Sequence, residues 1–551
     1  MKSERSSVLK RVARLEIGVI IALWAGIYVW GLGAAHIDYS IEALRAVVAR
    51  TMMENHQWMV PHYRGTLYLA KPPLMNWAIA AFSLPWGRVT EASARLPSVL
   101  SVLGLALALR FWARRWGRPR GGFYAAVLLL LLPLVFEKGT RAEIDMNLTL
   151  WVGLSLLCLF DGMEQRRQGR SGRGWTLAAY GFLTLAFLSK GPPALLFFLG
   201  TWLTYQTIQG WKTVRIAHHL LGWCIALAGV GLWLGPVILS VGWETFWSTF
   251  QNEALGRVVE ASKTNQAPFY FYPISLLGGA LPAVVFLPWL RGFGAEDKLK
   301  RVLWFSGCWI GSALVLFSLV AGKESRYLLP VYPAIALLGG FAFERFLDQI
   351  QSEDKGRLGR ILLAGFAVGV VICGPALGIA QRKMNPDLTA LGVVWAVLWS
   401  LSGAFSLVFQ KRRNWRFAVA VLAAALLAAK GFHMTAYVPD RNARKSPKQL
   451  CQQIHQRVPA GTSVDLIDID KTYIDFYLER PYRYSPNMEA FLDRSLPEGP
   501  YYLLLRDKDS AAEFLSRLEQ RATIRESQPV FQGERRFLLI TVDRLSSRAR
   551  S

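Results

Sequence analysis

The sequence predicts a polytopic α-helical membrane protein of about thirteen transmembrane helices followed by a small C-terminal α/β domain. Three observations predict it. Of 551 residues, 53% are hydrophobic and only 18% charged, with a mean hydropathy of +0.26, outside the range of ordinary soluble chains. Apolar runs of about 20 residues, the length that crosses a bilayer, recur with Pro and Gly between them. Finally, the basic residues that give the net charge of +25 gather in alternate loops, as the positive-inside rule requires.

The runs are 14–34, 93–112, 121–136, 145–163, 175–189, 193–207, 217–241, 272–290, 302–321, 328–347, 361–380, 390–409 and 417–435. A further apolar piece, Leu74 to Trp86, is short and follows Pro72 and Pro73. If it lies in the interface without crossing, the clusters at Lys10/Arg11, Arg114 to Arg120, Arg166 to Arg173, Lys212/Arg215, Lys298 to Arg301, Lys355 to Arg360 and Lys411 to Arg413 all fall on the cytoplasmic side. If it crosses, the Arg114 to Arg120 cluster moves outside, against the charge rule. The first run lacks a small-residue cleavage site and reads as a retained helix.

An odd number of crossings places everything after Thr435 outside. There the pattern changes: 448–457 and 510–520 read as helices, and 463–469, 501–505 and 537–542 as strands. Two units follow, residues 1–435 as the membrane part with catalytic outer loops and 436–551 as a soluble outer α/β domain.

Composition also excludes. The five cysteines and seven histidines show no CxxC or HExxH spacing, which argues against a disulfide framework or a structural zinc site. No basic arm or nucleic-acid motif accompanies the charge, so nucleic acid is not an expected partner. The outer loops nevertheless retain Lys and Arg beside acids: Asp38, Glu42, Arg45 and Lys71; then Lys138, Arg141 and Asp145; then Lys190; then Glu253 and Arg257; then Lys323 and Tyr327. Snorkelling to headgroups or structural pairing explains any one of these charges. Anionic ligands explain the collection.

The motifs WMVP (58–61), YLAKPPLMNW (68–77), ARLP (94–97), RAEIDM from Arg141, SKGP from Ser189, EALGR (253–257) and KESRYLLPVYP (323–333) resemble the polytopic glycosyltransferases of the dolichyl-phosphate-mannose protein mannosyltransferase type, and more closely their bacterial relatives, the lipid A 4-amino-4-deoxy-L-arabinose transferases. The resemblance implies a GT-C fold in a bacterial inner membrane, with catalytic loops and C-terminal domain in the periplasm. It implies transfer of a sugar from undecaprenyl phosphate to lipid A or another envelope glycan or protein acceptor, among membrane lipids. Catalytic carboxylates would come from Glu42, Asp38 and Asp145, and substrate contacts from Arg45, Lys71, Arg141, Lys190, Glu253, Arg257, Lys323 and Tyr327. The family's adjacent Asp-Glu pair aligns with Ile41 and Glu42, leaving Glu42 as the aligned acid and Asp38 as its rival. A bland alternative pairs Glu42 with Arg45 and Asp145 with Arg141. Ala254 stands where the family has a histidine, which weakens the case for a metal; no metal ligand is assigned, and a divalent metal stays open. A protein O-mannosyltransferase and a non-enzymatic transporter or flippase are the alternatives. The latter predicts charges buried in mid-span and paired repeats.

Overall fold

The computed structural model describes residues 2–251, 266–291, 297–320, 322–352, 356–469, 472–493, 500–507 and 510–545. Helices dominate. The chain opens with α1 (Lys2–Trp24), whose last turn widens into a π-helix at Ala25–Val29. There follow α2 (Ser40–Asn55), α3 (Leu74–Ser83), α4 (Glu91–Arg115), α5 (Pro119–Leu131), α6 (Pro133–Gly139), α7 (Ile144–Arg167), α8 (Arg173–Lys190) and α9 (Pro193–Gln209).

Among the described residues nine helices are long and apolar enough to cross a membrane, and eleven spans result if each of two bent pairs counts as one. The remaining expected runs are α8 and α9, of 18 and 17 residues. At 1.5 Å per residue they are about 26 Å long, just short of a bilayer core. Among the described residues all thirteen apolar runs therefore fall on helices. The chain is a multi-pass integral membrane protein.

The bends have local causes. Between α5 and α6, which meet at 63°, Leu132 is extended (φ −68°, ψ 125°) because the following Pro133 disfavours helical backbone before it. The short 74–86 piece is a 10-residue helix with one 3₁₀ turn. Helix and turn together are about 21 Å long, too short to span.

Burial sorts the spans. In α7 and in 325–349, 89% of the central window is buried, against 17% in Ile216–Val241 and 22% in Arg357–Met384. The first two form the protein core; the others present Leu232, Leu239, Ile372 and similar side chains outward, a surface that only lipid tolerates at this extent. Small residues let the core helices close up. At Gly340 an added Cβ would strike the Ala125 backbone, so this glycine sets the approach of Tyr332–Gln349 to α5.

Two short strands, β1 (His62–Tyr63) and β2 (Thr66–Leu67), form a hairpin after α2. The C-terminal segment holds β3 (Val464–Ile467), β4 (Tyr482–Ser485), β5 (Tyr501–Arg506), β6 (Ala522–Gln532) and β7 (Arg535–Leu545), ordered β4-β3-β5-β7-β6. β3 is parallel to β4 and β5, while β7 runs antiparallel to both β5 and β6. The expected helices at 448–457 and 510–520 and the three expected strands are present; β4, β6 and the helices Thr472–Leu478 and Met488–Leu492 are additional.

This segment sits on the first loop. One hydrophobic cluster joins Ala46 and Val47 of α2, Met75 and Ile79 of α3, and Ile454, Ile474 and Leu504. Asp475 fastens the contact: its carboxylate accepts from Tyr63 Oη at 2.7 Å and from Arg64 Nε at 3.0 Å. Arg64 also lies over the rings of Tyr63, Tyr482 and Tyr484, and the Asp475 charge holds its guanidinium well above the ordinary arginine range despite burial.

Candidate active site

Two carboxylate centres meet at the α6–α7 loop. The first is Glu42, in the opening turn of α2 and 2% exposed. Its Oε1 accepts from Arg95 Nε at 2.7 Å and from the Ala142 amide at 2.9 Å, and its Oε2 accepts from Arg95 Nη2 at 3.3 Å. Arg95, on α4, spends its remaining nitrogen on the Leu32 and Ala35 carbonyls. Glu42 thereby joins α2, α4 and the α6–α7 loop.

The second centre lies immediately beyond Ala142. Glu143 precedes α7 and Asp145 occupies its first turn, where the helix dipole favours negative charge. Lys190 ends the antiparallel α8, where the dipole favours a cation, and donates to Asp145 Oδ1 at 2.5 Å. The same Nζ lies 5.0 Å from the Tyr327 ring centroid. Glu143, fully buried, receives Lys138 at 3.3 Å, Arg326 at 3.4 Å and Arg141 at 3.7 Å. Burial, helped by the Asp145 charge, still holds its carboxyl above the usual glutamate range. The cluster of charge is dense and largely buried.

The other expected residues fall around these centres. Asp38 forms a bidentate pair with Arg441, at 2.6 and 2.9 Å. Arg45 is buried and donates Nη2 to Tyr68 Oη at 2.9 Å; among the described residues its Nε and Nη1 have no hydrogen-bond partner. Lys71 is half-buried in the turn before α3. Arg141 also reaches Glu137 at 3.5 Å and faces the Tyr39 ring. Lys323 is buried and donates to the Val320 carbonyl, and Tyr327 Oη donates to Glu324 at 3.5 Å. Glu253 and Arg257 lie outside the described residues.

The bland pairings are corrected. Glu42 pairs with Arg95, not Arg45, because the first turn of α2 faces α4 while Arg45 turns towards Tyr68. Asp145 pairs with Lys190, and Arg141 instead bridges Glu137 and Glu143. Sequence reasoning did not select Arg95, Glu143 or Arg326, although each stands in a motif it had singled out: ARLP, RAEIDM and KESRYLLPVYP. Among the described residues no three of His, Cys, Asp and Glu gather as a metal site.

Chemically, the arrangement supplies fixed cations at the end of a packed helix bundle, as a departing phosphate requires, with carboxylates one loop away. Residues 70–234 match the dolichyl-phosphate-mannose-protein mannosyltransferase family and 266–437 the Alg9-like mannosyltransferase family. Bundle, bent spans and charged loops are thus those of a polytopic membrane glycosyltransferase, similar over these two stretches to the membrane mannosyltransferase families.

Within that class, the chain is similar to the undecaprenyl phosphate-α-4-amino-4-deoxy-L-arabinose arabinosyl transferase of Pectobacterium carotovorum, at 29% identity over 91% of this chain and 92% of the relative. The corresponding transferase 2 of Pseudomonas fluorescens is 29% identical over 73% of each chain. The crystal structure of ArnT from Cupriavidus metallidurans bound to undecaprenyl phosphate shares the fold, with a TM-score of 0.75 at 20% identity over 96% of this chain and 97% of that one.

Proposed function

We propose that this glycosyltransferase moves a sugar of the 4-amino-4-deoxy-L-arabinose type from undecaprenyl phosphate to a lipid A-like acceptor at the periplasmic face of the inner membrane. Similarity to the Pectobacterium arabinosyl transferase along nearly the whole of both chains, at 29% identity, supports this reading, and the paired Asp145 and Lys190 are the observation in the fold that carries it. In this reading residues 1–435 are the catalytic membrane part and 436–551 an outer α/β domain docked on the first loop.

The reaction forms a bond from an acceptor oxygen to the anomeric carbon and breaks the bond from that carbon to the carrier phosphate. The leaving phosphate gathers charge, which Lys71 and Lys190 offset, with Arg257 and Lys323 as further candidates. Asp145 orients Lys190 and the sugar. An acceptor phosphate is already ionised and needs no strong base, so Glu42, held by Arg95, positions the α6–α7 loop; Asp38 stands beside it.

The test is transfer by the purified protein from an undecaprenyl-phosphate-linked aminoarabinose donor to lipid A, read as a mass increase of the acceptor. Envelope lipids from cells with and without the chain provide the second readout. An unchanged lipid profile together with no transfer in vitro would overturn the reading.

A further inference from the structure

A partly open cavity of about 290 Å³ lies between the first and last spans, bounded by Asp38, Glu42, Arg141, Lys430, His433 and Arg441. It is at the small end of ligand pockets. Both spans widen into π-helix where they line it: Ala25–Val29 contributes Tyr28, and His433–Tyr437 contributes His433 and Tyr437. Such bulges are rare in helices and recur at functional positions.

Most charges in this wall are already matched. Asp38 is closed on Arg441, Glu42 on Arg95, and Arg141 sits between Glu137 and Glu143. Lys430 is not. It ends the span Trp415–Phe432, is 7% exposed, and among the described residues has no hydrogen bond or carboxylate, only the Phe136 ring at 5.5 Å. One turn on, His433 Nδ1 is buried and without a partner among the described residues. A buried lysine without a counter-ion is costly in an apolar span, and such a residue marks a ligand site.

We propose that this cavity binds the phosphate monoester of the membrane-held glycolipid acceptor, with Lys430 as its counter-ion and His433 as a second contact. The proposal rests on the transfer reading. An anion is the ligand that satisfies Lys430. A membrane-held one suits a cavity set between two spans, and Arg141 and Glu42 connect it through the α6–α7 loop to Asp145 and Lys190. The cavity is thus an acceptor site beside the donor-phosphate cations.

Native mass spectrometry of the full chain in nanodiscs tests it directly. The probes are lipid A, the same lipid after phosphatase treatment, and undecaprenyl phosphate. Wild type is expected to retain the phosphorylated glycolipid over the dephosphorylated one; Lys430→Met and Lys430→Gln should lose that preference by about tenfold or more, and Lys430→Arg should keep part of it. In transfer assays the same variants should raise KM for the acceptor while leaving KM for the donor within about twofold. Intrinsic tryptophan melting at the wild-type temperature establishes that the variants are folded, and His433→Phe, which fills the same space, gives a second reading at the cavity if they are not. Loss of undecaprenyl phosphate in place of glycolipid, or retention of both, would overturn the proposal. A protein that moves no sugar yet shows Lys430-dependent retention sinks the transfer reading alone. An active one whose glycolipid retention ignores Lys430 sinks the cavity assignment alone.

Discussion

Arg95 reaches from α4 to α2 and closes both oxygens of Glu42, at 2.7 and 3.3 Å, with both side chains almost fully buried. Removing one member of such a pair leaves a charge uncompensated, at a cost of about 3 to 5 kcal/mol. Glu42→Gln is therefore expected to lower the melting temperature along with activity. The double variant Glu42→Gln/Arg95→Met should recover stability, since it removes both charges. Unchanged melting of Glu42→Gln, with activity abolished, would instead make Glu42 a group that acts on substrate.

His36 hydrogen-bonds Ser446 Oγ at 2.7 Å through Nδ1, tying the first loop to the start of the C-terminal segment. Burial lowers its pKa, the Lys448 and Arg95 charges add to this, and Glu91 and Asp38 oppose it. The folded state therefore prefers neutral His36, and its contribution is lost as pH falls from about 6.5 through the lowered folded value. Amide exchange at 446–478, corrected for intrinsic rates, should rise between about pH 7.5 and 5.5, and His36→Gln should flatten that rise. An identical rise in both proteins removes His36 as its cause.

Alternate basic loops predict that positions 118 and 167 face the cytoplasm and position 138 and the C-terminal segment the periplasm. Single cysteines at 118, at 167, in the C-terminal segment and at the exposed position 137 beside buried Lys138, in a protein whose exposed Cys224 and Cys373 are replaced, should label accordingly with an impermeant maleimide. Periplasmic labelling at 118 would reverse the assignment.

Lys71→Ala should reduce transfer about ten- to a hundredfold at matched expression, the worth of one charge-assisted phosphate contact, and Lys71→Arg less so. Near-normal transfer would return Lys71 to a headgroup anchor.

The spans were legible because each buries or exposes its own apolar length, a local property. The bend at Leu132 was legible in principle from Pro133. What sequence could not reveal was partner choice across the fold. Glu42 and Arg95 are 53 residues apart, Arg64 and Asp475 are 411 apart, and only the packing of α2 on α4 and on Thr472–Leu478 brings them together. Helical spacing suggested Arg45 for Glu42, but (i, i+3) proximity contributes little beside a buried bidentate guanidinium. Lys430 was missed for a related reason: a single lysine near a span end ordinarily snorkels, and only its burial in the cavity wall shows that this one does not.

Asp145 and Lys190 meet because α7 begins where α8 ends, and the pair is buried enough that neither residue acts independently. Lys190→Met strands the Asp145 carboxylate beside Arg326 and Glu143; Asp145→Asn frees the lysine to swing towards Tyr327. Each single variant is expected to lose transfer by at least about a hundredfold, as groups that work as a unit do. The double variant should then be no worse than the poorer single, a coupling of at least about 2 kcal/mol in a double-mutant cycle. Rates of the four proteins under saturating donor measure that coupling. Losses that simply multiply would mean that Lys190 contacts the carrier phosphate and Asp145 the sugar independently, and the pair seen in the fold would then be a resting arrangement that substrate opens.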